Sequence, residues 1–254
     1  MINNIIAACP KHTAYSNHVF RIVETQEYAA TTKIVDDLSE QHLLEQLLDE
    51  VKPAYRPATE ELHYLISTPF RYPPLKYGSR FGDITMPSYF YGAEQISTVL
   101  AECAFYRFVF LHDMATPYEG TIQSEHSIFS VKVSTTRCSD LTKLAEQDHL
   151  SAISAATSYQ TSQAIGKHLT QQKGTEVIRF YSARDTHGMN QDMERGVNLA
   201  IATPDAIKSK KPEQMQLWLC QTNNESVTFS TQGQQPSIFS RETFLLDGQL
   251  AKPF

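Results

Sequence analysis

The sequence predicts an α+β fold, and two observations support this. Several short strand patterns are mixed with about three helical patterns, without the regular strand–helix–strand alternation of a doubly wound sheet. No internal repeat, low-complexity tract or long linker interrupts the 254 residues. We therefore expect residues 1–254 to form a single domain.

The first elements lie on either side of a proline-containing loop. Apolar residues recur at helical spacing at Leu44, Leu47, Leu48 and Val51, which predicts a helix within residues 34–51 that packs on the domain. The segment HYLIST (63–68) is typical of a short strand.

A long irregular segment and a helix follow. Prolines and glycines exclude regular structure from PFRYPPLKYGSRFGD (69–83). SYFYG (88–92) predicts a short aromatic strand, and EQISTVLAECAFYRFVF (94–110) predicts a helix. A loop, a strand and a helix in this order place polar groups over a cleft.

Strand patterns dominate the second half of the chain. SIFSVKVST (127–135) alternates apolar and polar residues as a half-buried strand does, and residues 149–171 predict a polar, alanine-rich helix. The further predicted strands are EVIRFYS (176–182), VNLAIAT (197–203), QLWLCQT (216–222) and SVTFST (226–231).

Composition and charge restrict the function. The net charge of −6 argues against general affinity for nucleic-acid backbones or anionic membranes, which both require a basic face. No apolar stretch approaches the roughly 20 residues that span a bilayer, and the first residues lack the basic start of a signal peptide. We therefore expect a cytoplasmic protein that binds neither nucleic acid nor membrane directly.

The cysteines and histidines predict no metal site. Four cysteines (Cys9, Cys103, Cys138 and Cys220) are widely separated, which fits a reducing compartment better than a disulfide framework. The nine histidines show no tight ligand spacing. The GxGxxG, GxxxxGK[ST], HExxH and GxSxG motifs are absent as well.

One spacing remains that points to chemistry. Tyr91 follows Arg80 by eleven residues, Glu102 follows Tyr91 by eleven, and Ser182 ends a predicted strand. The planar guanidinium of arginine binds phosphate with two hydrogen bonds, and tyrosine provides an aromatic face for stacking and a hydroxyl for hydrogen bonding. A carboxylate stabilises the positive charge that develops on a sugar when its glycosidic bond breaks. The set is consistent with a site that cleaves a nucleotide–sugar bond.

Each of these residues also has a structural alternative. Arg80 could be a solvated charge in a turn, and Tyr91 a core aromatic. Glu102 could belong to a buried ion pair, and Ser182 could cap backbone amides. Arg184, next to Asp185, is interpreted as half of a local ion pair, and a role for Asn198 is left open.

The motifs around this spacing resemble the RES domain family, named for arginine, glutamate and serine. GSRF at 78–81, YGAE at 91–94 and VLAE at 99–102 are similar to its central motif. FYSAR (180–184), GVNLAI (196–201) and VFRIVE (19–24) match the family pattern more loosely. The resemblance extends over about residues 19–205.

The resemblance implies a fold similar to ADP-ribosyltransferase toxins: a split mixed sheet with flanking helices and an NAD cleft. It further implies that Arg80, Tyr91 and Ser79 bind NAD⁺, that Glu102 is the catalytic carboxylate and that Ser182 completes the site. The resemblance also maps Arg21 onto an N-terminal arginine that contacts NAD⁺. NAD⁺ would be a substrate, not a cofactor, and phosphate is an optional co-substrate.

The function that the resemblance implies is cleavage of the nicotinamide–ribose bond by water or phosphate, as the toxin of a bacterial toxin–antitoxin pair. The expected partner is an Xre-like helix-turn-helix antitoxin, and a homodimer is also compatible. Two alternatives stay open: ADP-ribosyl transfer to a protein, and a catalytically silent module that binds a nucleotide or the antitoxin.

The chain departs from the family pattern in two ways. It is longer, so a helical insertion at about 34–52 and a C-terminal extension of strands after about residue 205 are not explained by the core family. It also lacks the ExE and Ser-Thr-Ser motifs of many arginine-specific ADP-ribosyltransferases. The second departure disfavours transfer to a protein.

Overall fold

The computed structural model describes residues 1–25, 35–116, 118–185 and 195–254. Its α-helices are α1 (Ile2–Ala8), α2 (Leu38–Glu50), α3 (Tyr64–Arg71), α4 (Ile96–His112), α5 (Gln147–Ile153) and α6 (Gln160–Lys167). Its main strands are β1 (Thr13–Glu24), β2 (Phe90–Ala93), β3 (Ile122–Asp140), β4 (Val177–Tyr181), β5 (Val197–Ile201), β6 (Glu213–Thr222), β7 (Ser226–Ser230) and β8 (Ser237–Ser240).

These eight strands form one mixed sheet in the order β1-β2-β5-β4-β3-β6-β7-β8. β3 pairs with β4 in parallel, and the other neighbouring pairs are antiparallel. The long strand β3 also pairs with β1 along almost the full length of β1, so β1, β2, β5, β4 and β3 close into a ring. The predicted α+β class, with a mixed sheet and flanking helices, is confirmed.

The described residues form three hydrophobic core clusters. The first is lined by alternate residues of the ring strands, such as Val19, Phe129 and Leu199. The second lies between the ring and helices α5 and α6, and includes Phe81 and Phe180. The third lies under α4 against β6 and β7, around Trp218. Helix α4 and the segment before α6 meet where the hydroxyls of Tyr106 and Tyr159 lie 3.0 Å apart.

The predicted strand at 63–68 is wrong, because Tyr64–Arg71 is helix α3. The prediction that 69–83 holds no regular structure is wrong for its first three residues, which form the last turn of this helix with Pro69 inside it. The side chain of His63 accepts a hydrogen bond from the amide of Leu65 and caps the helix, while Ile66 and Phe70 bury one face. Residues 66 and 70 are one turn apart, so tertiary packing outweighs the strand propensity of this segment.

Helix α2 forms where residues 34–51 predict it, although residue 34 lies outside the described residues. The prediction that its apolar stripe packs on the domain is wrong, since none of its residues is buried and Leu47, Leu48 and Val51 are exposed. Asp37 fixes its start by accepting from the amides of Ser39 and Glu40.

The other predicted elements are present with shifted ends. The predicted helix at 149–171 is broken into α5 and α6, and α6 continues into a π-helical turn at His168–Gln172. Strands β2 to β7 lie where the alternating patterns predict them. Helix α1, strand β1 and strand β8 were not predicted from the sequence.

Candidate active site

The loop that carries Arg80 is folded tightly around its glycines. Gly78 has a φ of +67°, which favours glycine, and a Cβ at this position would clash with the carbonyl oxygen of Gly82. The amide of Ser79 donates to that same oxygen at 2.7 Å. On α6, the side-chain amide Nε2 of Gln163 donates to the backbone carbonyls of Tyr77 at 2.9 Å and Ser79 at 3.0 Å. The loop is therefore rigidly attached to α6.

Arg80 points inward from this loop. It is 8% exposed, its Nη1 donates to the carbonyl oxygens of Ile153 at 3.1 Å and Ala155 at 3.0 Å, and its guanidinium lies 5.0 Å from the centre of the Tyr159 ring. The alternative of a solvated turn charge is excluded. Among the described residues no carboxylate forms an ion pair with Arg80.

Tyr91 ties strand β2 to the same loop. Its hydroxyl lies 2.9 Å from Oγ of Ser79 and accepts from the amide of Phe81 at 3.1 Å. Burial raises the pKa of this hydroxyl, so it remains a neutral hydrogen-bonding group. The structure thus brings Ser79, Arg80 and Tyr91 together, while contact of any of them with a nucleotide stays a prediction.

Glu102 projects from the middle of α4 and is held by two neutral donors. Its Oε1 accepts from Oγ of Ser182 at 2.6 Å and from Nδ2 of Asn198 on β5 at 2.6 Å. In the described part of the chain, nothing donates to Oε2 and no cation lies within ion-pair distance of the carboxylate. The structural ion-pair interpretation therefore does not hold within these residues, and one oxygen of a half-buried carboxylate is left for a ligand.

Ser182 uses all its hydrogen-bonding capacity within the protein. Fully buried, it donates to Glu102 and accepts from the amides of Arg184 and Asp185, both at 3.0 Å. The capping role weighed from the sequence is confirmed, and its role in a site stays a prediction. Ser182 orients Glu102 and shapes the turn after β4.

The expected ion pair of Arg184 and Asp185 is wrong. The carboxylate of Asp185 accepts a hydrogen bond from Oγ1 of Thr98 on α4 at 2.7 Å. It also packs against Gly196, where a Cβ would clash with the carboxylate. Arg184 instead donates to the carbonyl of Ala156 at 2.9 Å. The two neighbours point to different elements and close the turn between them.

Arg184 and two tyrosines connect the Arg80 and Glu102 parts of the site. Burial lowers the pKa of Arg184 most. Glu102 and Arg80 are both near enough to act on it as well: Glu102 raises this pKa and Arg80 lowers it. Tyr106, one turn after Glu102, places its hydroxyl 3.0 Å from that of Tyr159, which lies beside Arg80. The predicted residues 80, 91, 102 and 182 therefore belong to one contiguous cluster.

Arg21 lies on the other side of strand β2. Its guanidinium lies 4.9 Å from the centre of the Phe90 ring, in the first core cluster, whereas the Tyr91 side chain packs in the second. Its Nη1 donates to the carbonyl of Tyr91 at 2.7 Å, and burial lowers its pKa to about 10. The structure does not bring its side chain to the cluster, and its contact with NAD⁺ stays a prediction.

Asn198, Tyr159 and Arg195 belong to the same cluster but were not among the predicted site residues, and the role of Asn198 had been left open. Asn198 could have been recognised, because it is the polar residue inside the otherwise apolar strand VNLAI. Tyr159 and Arg195 lie in loops without a pattern, so only the fold places them beside Arg80. Among the described residues, no group of histidine, cysteine, aspartate or glutamate could hold a metal ion, and no helix could cross a membrane.

Comparison with known proteins identifies the family. The RES domain model matches residues 53–223, which contain Arg80, Tyr91, Glu102 and Ser182. A chain of the M. tuberculosis MbcT–MbcA toxin–antitoxin complex is similar at 11% identity with a TM-score of 0.43, over 94% of this chain and 91% of that chain. No curated protein sequence matches this chain. Because the family model matches more than half of its length, the chain belongs to the RES domain family.

Proposed function

We propose that this protein is an enzyme that cleaves the nicotinamide–ribose bond of NAD⁺. The observation that carries the proposal is the state of Glu102, whose Oε1 is fixed by Ser182 and Asn198 while Oε2 accepts no bond from the described residues. A carboxylate held in this way is preorganised to stabilise positive charge that develops beside it. Membership of the RES family supports NAD⁺ as the compound on which that charge develops.

The chemistry follows from the leaving group. When the bond between C1′ of the ribose and the pyridinium nitrogen breaks, the electron pair leaves with nicotinamide, which becomes neutral, and the ribose takes up the positive charge. The free oxygen of Glu102 stabilises this oxocarbenium-like ribose. An oxygen of water or of inorganic phosphate then attacks C1′, giving ADP-ribose with release of a proton from water, or a phosphorylated ADP-ribose.

The arginine side of the cluster complements the other end of the substrate. Arg80 is buried, permanently charged and without a carboxylate partner in the described residues, which suits an anionic group such as a nucleotide phosphate. Tyr159 and Tyr106 offer aromatic faces between Arg80 and Glu102. Arg80 and Glu102 thus belong to one cluster, which suits a substrate that carries phosphate groups as well as the ribose whose bond breaks.

The biological role that we propose is that of a toxin of a toxin–antitoxin pair, with an Xre-like helix-turn-helix antitoxin as partner. The structural relative named above was solved as a toxin–antitoxin complex. Growth arrest on expression of the wild-type chain, relieved by Glu102→Gln, tests this role. Arrest that persists in the variant would contradict it.

Proton NMR of purified protein with NAD⁺ tests the activity directly. We expect free nicotinamide from the wild type, and a release rate lower by at least about 100-fold for Glu102→Gln. Glu125→Gln is the matched control, because Glu125 is exposed on β3 and should leave the rate unchanged. Parallel samples with and without phosphate distinguish ADP-ribose from its phosphorylated form.

Absence of nicotinamide release would contradict the proposed cleavage of NAD⁺. If folded wild-type protein, free of any antitoxin, releases no nicotinamide, the proposed activity is wrong. Labelled NAD⁺ in cell extract then decides whether ADP-ribose is transferred to a protein, the alternative that the family resemblance leaves open.

A further inference from the structure

The cluster around Glu102 contains more arginine than the predicted site residues account for. Arg184 and Arg195 join Arg80 there, because all three donate to the segment 153–156: Arg80 to the carbonyls of residues 153 and 155, Arg184 to that of residue 156 and Arg195 to the hydroxyl of residue 154. Burial lowers the pKa of Arg184 and of Arg195, and the charge of Arg80 lowers both further. Arg184 is 5% exposed and Arg195 is half-buried. Like charges at this proximity repel one another, so the arrangement needs a compensating group.

Each of the three guanidinium groups is held by uncharged neighbours. Arg184 lies 3.4 Å from the centre of the Phe105 ring and Arg195 lies 4.9 Å from the centre of the Tyr181 ring, just as Arg80 lies beside Tyr159. Their hydrogen bonds go to backbone carbonyls and a serine hydroxyl. Aromatic faces and carbonyl oxygens orient these cations without neutralising them.

No carboxylate in the described ranges forms an ion pair with any of these three arginines. Glu102 is the carboxylate that acts on Arg184 most, yet its bonded oxygen is taken by Ser182 and Asn198. Buried charge without a partner is unfavourable, and cations that persist in such a place commonly bind an anion.

Arg195 has a donor to spare. Its Nη2 donates to Oγ of Ser154 at 2.7 Å and to the carbonyl of Ser182 at 3.3 Å, but its buried Nε has no hydrogen-bond partner among the described residues. An unsatisfied buried donor on a cation is the group that an anionic oxygen would complete.

We propose that Arg184 and Arg195 form, together with Arg80, an anion-binding subsite for a phosphate group, and that Nε of Arg195 donates to it. The identification of this group with the pyrophosphate of a dinucleotide rests on the proposed function. Free inorganic phosphate has the same chemistry and would use the same donors. Arg195 is then a binding residue of the site, and Arg184 supplies charge beside Glu102.

Calorimetric titration with inorganic pyrophosphate and, separately, with inorganic phosphate tests the subsite without any turnover. For Arg195→Gln we expect pyrophosphate affinity to fall by roughly tenfold or more. Arg195→Lys keeps the charge but lacks the Nε donor, so it should recover only part of the affinity. Arg241→Gln is the control, because Arg241 lies beyond β8 and loses the same charge.

The two phosphate sources are distinguished by competition. If pyrophosphate competes with NAD⁺ and Arg195→Gln raises the KM for NAD⁺, the subsite takes the dinucleotide. If inorganic phosphate alone binds with the same dependence on Arg195, the subsite takes the free anion. Either result supports the anion subsite.

Wild-type protein that binds neither anion, or Arg195→Gln that binds pyrophosphate as tightly as Arg241→Gln, would overturn the proposal. The proposed function fails separately. If NAD⁺ is not cleaved but pyrophosphate binds in an Arg195-dependent way, the subsite stands and the activity does not. Circular dichroism of each variant verifies that the fold is retained.

Discussion

Arg179 lies within strand β4, Arg184 follows that strand and Arg195 precedes β5, and the charge of Arg179 is compensated differently from that of the other two. Within the strand, Arg179 is neutralised: Nε and Nη2 donate to the two carboxylate oxygens of Glu94 at 2.8 and 2.9 Å, and Nη1 donates to Asp140 at 3.2 Å. Beyond the strand, Arg184 and Arg195 form no ion pair with a described residue. We call the first arrangement closed, because carboxylates of the protein pair with the arginine, and the second open, because no described carboxylate does.

The difference indicates what each cluster does. Arg179 connects β2, β3 and β4 through Glu94 and Asp140, and the bonds to Glu94 raise its pKa. A closed bidentate network of this kind fastens strands of the ring. The open cluster keeps its charge for something outside the chain, which is an arrangement that favours binding at the expense of stability.

The largest effect should come from breaking the closed network. Arg179→Gln leaves two partly buried carboxylates without their cation, so we expect the free energy of unfolding to fall by about 3 kcal/mol in chemical denaturation. Arg137→Gln is the control, since the Arg137–Glu176 pair lies at the surface and is worth less than about 1 kcal/mol. Equal effects of the two variants would mean that Arg179 contributes no more to stability than a surface ion pair does.

Ser182→Ala should affect both stability and chemistry. It removes the acceptor of two amides and the donor that orients Glu102, so we expect a stability loss of about 2 kcal/mol. Nicotinamide release should slow by about 100-fold, because a misplaced carboxylate stabilises the transition state poorly.

Ser139→Ala is the control for that substitution. Ser139 is equally buried, and its hydroxyl bonds to Thr175 away from the cluster. It should lower stability while leaving the release rate unchanged. Full activity of Ser182→Ala would mean that Glu102 does not need this orientation.

How far the sequence predicts the molecule depends on whether the signal is local. The GSRF loop, helix α4 and the strand before Ser182 are recognisable because glycine spacing, apolar periodicity and motif lie within single segments. The strand predicted at 63–68 is wrong because the His63 cap and the burial of Phe70 decide for a helix.

The open arginine cluster could not be predicted. Its members come from residues 80, 184 and 195, and the groups that hold them come from 153–159 and from α4. Only the pairing of β4 with β5 and the placement of the α5–α6 loop bring these segments together. Adjacency in sequence was misleading here, since Arg184 next to Asp185 resembled a local ion pair.

Asn198→Asp should slow the reaction. The substitution places a second carboxylate beside Oε1 of Glu102, where Nδ2 of Asn198 now donates at 2.6 Å. The new carboxylate cannot donate and carries a like charge, so Oε1 loses one of its two hydrogen bonds and is repelled from its present position. We expect kcat/KM for NAD⁺ to fall by about tenfold or more, measured as nicotinamide release.

An unchanged rate would show that the Asn198 side chain does not act on Glu102 during the reaction. Asn198→Ala is the companion variant, because it removes the donor without adding charge. It should lower the rate less than Asn198→Asp does.

The smallest effect should be that of Arg195→Gln on stability. The variant loses the hydrogen bond to Ser154 and the contact with the Tyr181 ring, but it also relieves the repulsion from Arg80. We expect these terms to offset each other to within about 1 kcal/mol in the free energy of unfolding. Pyrophosphate should then raise the melting temperature of the wild type and not that of the variant, because a ligand stabilises only the state that binds it. A loss as large as that of Arg179→Gln would mean that Arg195 is part of a closed structural network, and the two clusters would no longer differ in kind.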